Sequence, residues 1–224
     1  MAKNIRIKIS SGLKNLIGRE LITDELIAIF ELVKNSFDAH ATTVTLTFEN
    51  LLGENNSKIT ITDNGKGMSY DDLINKWLFV AYSAKSEGVE DSGEYRDKIN
   101  SKRLYAGAKG VGRFSCDRLG AKLNLITLKD TKNAKTENLL VDWADFEGDA
   151  KKQFVDVDVK HQTLKDSPHK MKHGTVLEIT GLRDTWDRKR LLQLKQSLAK
   201  LINPNQDNDS SKFSITVSVP EEKK

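Results

Sequence analysis

This sequence predicts an α+β domain, on three observations. From about Asp24 to Phe37 the apolar residues Leu26, Ile29, Phe30, Val33 and Phe37 recur at helical spacing. Seven segments after it read as strands: Val44 to Phe48, Lys58 to Thr62, Leu123 to Leu128, Leu139 to Trp143, Phe154 to Val159, Thr175 to Thr180 and Phe213 to Val219. Trp186 to Ile202 returns to helical spacing with the stripe Leu191, Leu192, Leu194, Leu198 and Leu201, and Pro204 stops it.

Each element has its local reason. Asn4 to Ile9 alternates Ile5, Ile7 and Ile9 with Arg6 and Lys8, the period of a half-buried strand. Ser10-Ser11-Gly12 breaks it, and Leu13 to Ile17 reads as a short helical turn. Thr23 or Asp24 is a suitable N-cap for the central helix. Val44, Leu46 and Phe48 alternate with threonines, a polar turn follows over Gly53 to Ser57, and Lys58 to Thr62 returns, which together predict a hairpin. Ser69 is placed to cap a helix through Trp77, while Lys129 to Lys135 and Lys160 to His173 read as polar connectors.

Bulk composition bounds the class. At 224 residues the chain is one large domain or a domain with a small appendage, long enough for a real core. A net charge of +4 permits nucleic-acid contact without arguing for it. Cys116 has no partner for an intrachain disulfide, which points to a reducing, cytoplasmic home. No apolar run reaches the length of a membrane span, no signal-peptide core opens the chain, and no membrane partner is expected. The four histidines, His40, His161, His169 and His173, have no metal-ligand spacing.

Four motifs stand out from that background. Glu31, Asn35 and Asp38 are spaced i, i+4 and i+7, so they share one narrow stripe opposite the apolar face of the central helix. A solvated polar face is the plain alternative, but Ile27 lies on that side and cationic residues are nearly absent there. Asp63-Asn64-Gly65-Lys66-Gly67-Met68 follows a strand and makes a tight turn where backbone can approach a ligand, although it is also ordinary hairpin chemistry. Residues 81–112 are long and polar, the composition of a lid, a binding loop or disorder. They close on Gly107-Ala108-Lys109-Gly110-Val111-Gly112-Arg113-Phe114, where glycines opening a helix offer backbone N–H groups to phosphate and Lys109 and Arg113 add positive charge. That turn is neither a Walker A motif nor a dinucleotide fingerprint. His173-Gly174-Thr175 then opens a strand.

In this order the four motifs resemble those of the GHKL ATPase superfamily, which includes the B subunit of DNA gyrase, the ninety-kilodalton heat-shock chaperones, the histidine kinases and MutL. The resemblance covers roughly Ile22 to Thr180. It implies the two-layer α/β sandwich of that superfamily, the Bergerat fold, with a mixed sheet, helices on one face and a long ATP lid. It implies ATP and Mg²⁺ as ligands, with Asn35 holding the metal by its side-chain oxygen. Asp63 would accept a hydrogen bond from the adenine amino group, and Gly65, Gly67 and Met68 would line the base. Gly107, Lys109, Gly110, Val111, Gly112, Arg113 and Phe114 would surround the phosphates, the backbone of Gly110 to Gly112 supplying donors. Thr175 would bring a hydroxyl near the base, Lys85 resembles a lid lysine of the chaperones, and Asp38 would orient its neighbours or meet the adenosine.

Glu31 places the chain within the superfamily. In the hydrolytic members a glutamate one helical turn before the metal asparagine positions the attacking water, whereas histidine kinases usually carry asparagine there. The resemblance therefore implies an ATPase of the chaperone-like or MORC-like branch, with Glu31 as its catalytic residue. Its domain would fill residues 1–224, with a core of about 20–182 and a closing helix and strand over 186–219. Relatives take a further lysine from a second domain that has no room here, so the chain reads as a fragment of a longer protein. That protein would form an ATP-dependent homodimer and act on DNA or a protein client. An ATP-sensing module without hydrolysis is the alternative, and a histidine kinase a distant third.

Overall fold

Asp24 begins the central helix for a local reason. Its backbone is extended, and its carboxylate accepts from the N–H groups of Leu26 (2.6 Å) and Ile27 (3.3 Å). The computed structural model of the chain describes residues 10–15, 19–20, 22–51, 56–79, 112–147, 157–201 and 213–223. The strand expected over Asn4 to Ile9 lies outside them.

Among the described residues, five α-helices and seven strands follow in chain order. A single turn, α1 (Leu13–Asn15), precedes the central helix α2 (Glu25–Asp38). The hairpin strands β1 (Thr43–Glu49) and β2 (Lys58–Asp63) come next and pair antiparallel, as the alternation predicts. Ser69 caps α3 (Tyr70–Asp72) in a full capping box, and a wider turn carries it on to Trp77. Beyond residue 111 come a tight turn, Gly112–Phe114, and the short helix α4 (Ser115–Leu119). Strands β3 (Gly120–Leu128), β4 (Thr136–Asp142), β5 (Lys160–Leu164) and β6 (Gly174–Leu182) follow, then α5 (Arg188–Ala199) and β7 (Ser214–Ser218).

All seven strands form one mixed sheet in the order β5-β4-β3-β6-β2-β1-β7, with β7 parallel to β1 and every other pair antiparallel. Register explains the layers. Val217, Leu46, Ile61, Leu177, Leu125 and Leu139 stand opposite one another across six strands, and Phe48, Ile59, Ile179, Leu123 and Val141 form the next row. Side chains on one face of a sheet share such rows. Against them pack Ile29, Leu32 and Val33 of α2, Cys116 and Leu119 of α4, and Leu191, Leu194 and Leu198 of α5, in one core. Burying each such leucine or isoleucine contributes about 1.5–3 kcal/mol. The result is the expected two-layer α+β architecture.

Two expectations are corrected. Lys160 to Leu164 reads as a connector, yet it is the edge strand β5; four of its five residues are exposed, so it has no apolar alternation to betray it. Val157 to Val159, the described end of the strand expected over Phe154 to Val159, has no strand conformation, and the remainder lies outside the described residues. No described helix is long and apolar enough to cross a membrane.

Candidate functional site

One end of the sheet replaces apolar rows by polar ones. Val44, Asp63, Thr175, Thr127 and Glu137 are register neighbours there, continuing the helix-covered face beyond its last leucines. Asp63 closes β2, and its carboxylate is pinned from three sides. Oδ1 accepts from the N–H groups of Gly65 (2.8 Å) and Thr175 (3.3 Å), and Oδ2 accepts from the Ser36 hydroxyl (3.0 Å) on α2. Burial pushes the Asp63 carboxyl above its usual range, opposed by those three hydrogen bonds and by the nearby His173.

The turn after β2 is stapled to everything around it. Asn64 accepts from the N–H groups of Thr42 (2.9 Å) and Thr43 (2.8 Å), and Lys66 N–H donates to the Ala39 carbonyl (2.8 Å) at the end of α2. Gly67 sits at φ +60°, and a side chain there would place its first carbon 2.0 Å from the Leu128 carbonyl. Met68 N–H donates to the Thr127 hydroxyl (2.9 Å).

The fourth motif, His173-Gly174-Thr175, has an equally local reason. His173 donates from Nδ1 to the Gly65 carbonyl (2.8 Å), because a carbonyl can only accept. Gly174, at φ +114°, lets β6 run past Asp63, whose carbonyl would lie 2.1 Å from any added Cβ. That approach delivers the Thr175 N–H to Asp63.

On α2, Glu31 and Asn35 are both half-buried, and Glu31 accepts an ion pair from Lys34 Nζ at 3.0 Å. The expectation of a face nearly free of cations is corrected at this position. Gly112 packs onto Asn35: a Cβ built on it would meet the Asn35 amide at 3.2 Å. The structure thus brings Asp63, Gly65, Met68 and Thr175 into one hydrogen-bonded set with Gly67 in its turn, while Asn35, next to Ser36 on α2, meets Gly112 and has Glu31 one turn before it. Asp38 is buried at 2% exposure and Phe114 at 3%, the latter's ring 5.9 Å from that of Trp143 in the core. Arg113 contributes backbone to the turn beside Gly112. Lys85, Gly107, Lys109, Gly110 and Val111 lie outside the described residues.

The glycine turn's helix, α4, is anchored by charge on both sides. Asp117, fully buried, meets Lys14 Nζ at 3.1 Å and Arg183 Nη2 at 2.8 Å, with Arg19 at 3.7 Å. Its neighbour Arg118 pairs with Asp184 and with Glu25 (3.2 Å) at the start of α2. Sequence reading missed Ser36 and Thr127. Each left a signal: a hydroxyl on the apolar face of a helix, and a threonine where the inward run Leu123, Leu125 calls for a third hydrophobe.

Residues 24–175 match the model of the family described as histidine kinase-, DNA gyrase B-, and HSP90-like ATPase. The chain belongs to that family. Among its relatives is the mitochondrial TNF receptor-associated protein 1 homolog of Dictyostelium discoideum, 27% identical over 54% of this chain and 19% of its own length. The chaperone protein HtpG of Buchnera aphidicola is 31% identical over 46% of this chain and 16% of its own length. The DNA mismatch repair protein MutL of Crocosphaera subtropica is 28% identical over 90% of this chain and 31% of its own length. The chain therefore spans less than a third of each of these three relatives. Within this ATPase family the matched interval begins at the N-cap of α2 and ends at Thr175, so it encloses the whole polar end of the sheet.

Proposed function

We propose that this chain binds ATP with Mg²⁺ and hydrolyses it to ADP and phosphate, as the nucleotide module of a larger chaperone-like or clamp-like protein. One observation carries the reading. A carboxylate has about four lone-pair positions, and Gly65, Thr175 and Ser36 occupy three of them on Asp63. The position left on Oδ2 is a fixed acceptor in a half-buried setting, suited to the amino group of adenine. Gly65, Gly67 and Met68 would line the base, and Thr175 would add its hydroxyl.

Asn35 fits Mg²⁺ by donor chemistry, since its amide oxygen is a hard ligand and Mg²⁺ takes few protein ligands beside phosphates and water. When bound, the metal neutralises charge on the phosphates. Backbone N–H groups of Gly110, Val111 and Gly112 would meet the same phosphates, with Gly107, Lys109, Arg113 and Lys85 around them. Glu31 would orient and deprotonate the attacking water, which is most of what phosphoryl transfer asks of a protein. In the full-length protein, closure of residues 81–112 over ATP would accompany homodimerisation, with DNA or protein as client. The lone cysteine favours a cytoplasmic setting.

Calorimetry with a non-hydrolysable ATP analogue tests the binding. Wild type should release heat only weakly without Mg²⁺, and Asn35→Ala should lower affinity severely. No heat from the wild-type chain at high concentration sinks the reading.

The ion pair between Lys34 and Glu31 favours a second reading, in which nucleotide is sensed without turnover because the carboxylate is already engaged. Glu31→Ala separates the two. In the hydrolase reading ATP binding survives while full-length turnover falls about 10²-fold or more; in the sensor reading wild-type turnover is already negligible.

A further inference from the structure

Thr127 makes three contacts, and their directions can be assigned by counting hydrogens. Its side chain is fully buried, and its Oγ1 lies 3.0 Å from the Gly174 carbonyl, 2.9 Å from the Met68 nitrogen and 3.1 Å from Thr175 Oγ1. Two oxygens in hydrogen-bond contact need a hydrogen between them, and a carbonyl has none to give. The single hydroxyl hydrogen of Thr127 is therefore spent on Gly174. Met68 N–H fills one Thr127 lone pair, so the remaining contact must be donated by Thr175. Thr175 is half-buried, and its own hydrogen now points away from the open side of the site.

We propose that Thr127 is a positioning residue for base selection: by consuming the Thr175 hydrogen it makes Thr175 an acceptor only, matching the acceptor on Asp63. This rests on the adenine-site reading above. Two acceptors at one site, Asp63 Oδ2 and Thr175 Oγ1, suit the two hydrogens of a 6-amino group, one for each. They repel a 6-keto purine, whose oxygen would face lone pairs. Asp63 alone could be satisfied by either edge through a rotated base or a water; the second acceptor removes that freedom. Thr127 touches no nucleotide in this scheme and acts wholly through Thr175 and through the Met68 backbone.

The test compares ATP with inosine triphosphate, which differ at that 6-position, by calorimetry on the 224-residue chain with Mg²⁺ present. Thr127→Val keeps shape and removes the hydroxyl, which frees the Thr175 hydrogen to serve a keto oxygen. The ATP-to-inosine preference should fall about tenfold, the worth of one misdirected hydrogen bond in a desolvated site. Thr127→Ser should restore the wild-type ratio. A purely structural Thr127 would weaken both nucleotides by one common factor and leave the ratio unmoved, and that result overturns the inference. If Thr127→Val does not fold, Thr175→Val serves: it deletes the acceptor itself, and an unchanged ratio there is equally fatal. A wild-type chain that binds neither nucleotide takes down the proposed function, and this inference with it.

Discussion

Aspartates 63 and 72 lie nine residues apart in sequence and respond to pH in opposite senses. Burial raises the Asp63 carboxyl, so the folded state holds its proton more tightly than the unfolded chain does, and ionised Asp63 weighs against folding at neutral pH. Asp63→Asn keeps an oxygen for the Gly65 and Thr175 N–H groups and removes the charge. Its nucleotide-free melting temperature at pH 7 should equal or exceed that of wild type, with ATP binding lost. The stability difference should shrink as pH falls and wild-type Asp63 takes up its proton. Burial would raise Asp72 too, but hydrogen bonds from Lys129, from Ser69 and from Lys76 outweigh it and hold the carboxyl far below its usual range. Its contribution is complete above the ordinary aspartate range and fades as pH falls below it. Asp72→Asn should therefore destabilise by about 1–2 kcal/mol at pH 7, and the two melts should converge in acid. Cys116 offers a third check: burial, then the charge of Asp117, push its thiol up to about 12. A thiol reagent should label it only at the rate of global unfolding.

Among the elements, α4 shows how charge holds a five-residue helix that could not stand alone. Asp117 and Arg118 point into separate networks, one reaching α1 and the end of β6, the other the first turn of α2. Removing one partner of a buried pair leaves an uncompensated charge, at a cost of about 3–5 kcal/mol. Lys14→Met should lose less than that in urea unfolding, because Arg183 still faces Asp117, and Asp117→Asn added to it should lose much less than the sum. What was legible follows from the same contrast. Periodicity disclosed α2, β1 and β2 to within a residue at each end and α5 to within three, because one face of each carries the apolar residues. It could not disclose β5, which is a strand only because β4 offers it hydrogen bonds. The Asp117 network, joining residues 14, 117 and 183, leaves no local trace at all.

For the whole molecule, the site is a product of topology. Asp63 and Thr175 are 112 residues apart and meet because β2 and β6 are sheet neighbours. The motifs could be read along the chain, but that Ser36 and Thr127 complete them could only be read across it. If the full-length protein works as a dimer, its specific ATPase activity should rise with concentration over a dilution series. A flat response removes dimerisation from the cycle and leaves the domain acting alone.

Lys14 has a consequence for where this domain starts. The family's shared pattern opens at residue 24, yet a fully buried cation ten positions earlier neutralises the helix that follows the glycine turn. A chain whose front is trimmed to residue 24 would keep every recognisable motif, lose Lys14 and Arg19, and leave Asp117 to Arg183 alone. Ancestry and mechanics thus draw different borders on the same polypeptide, and the segment that looks like a dispensable leader is part of the foundation.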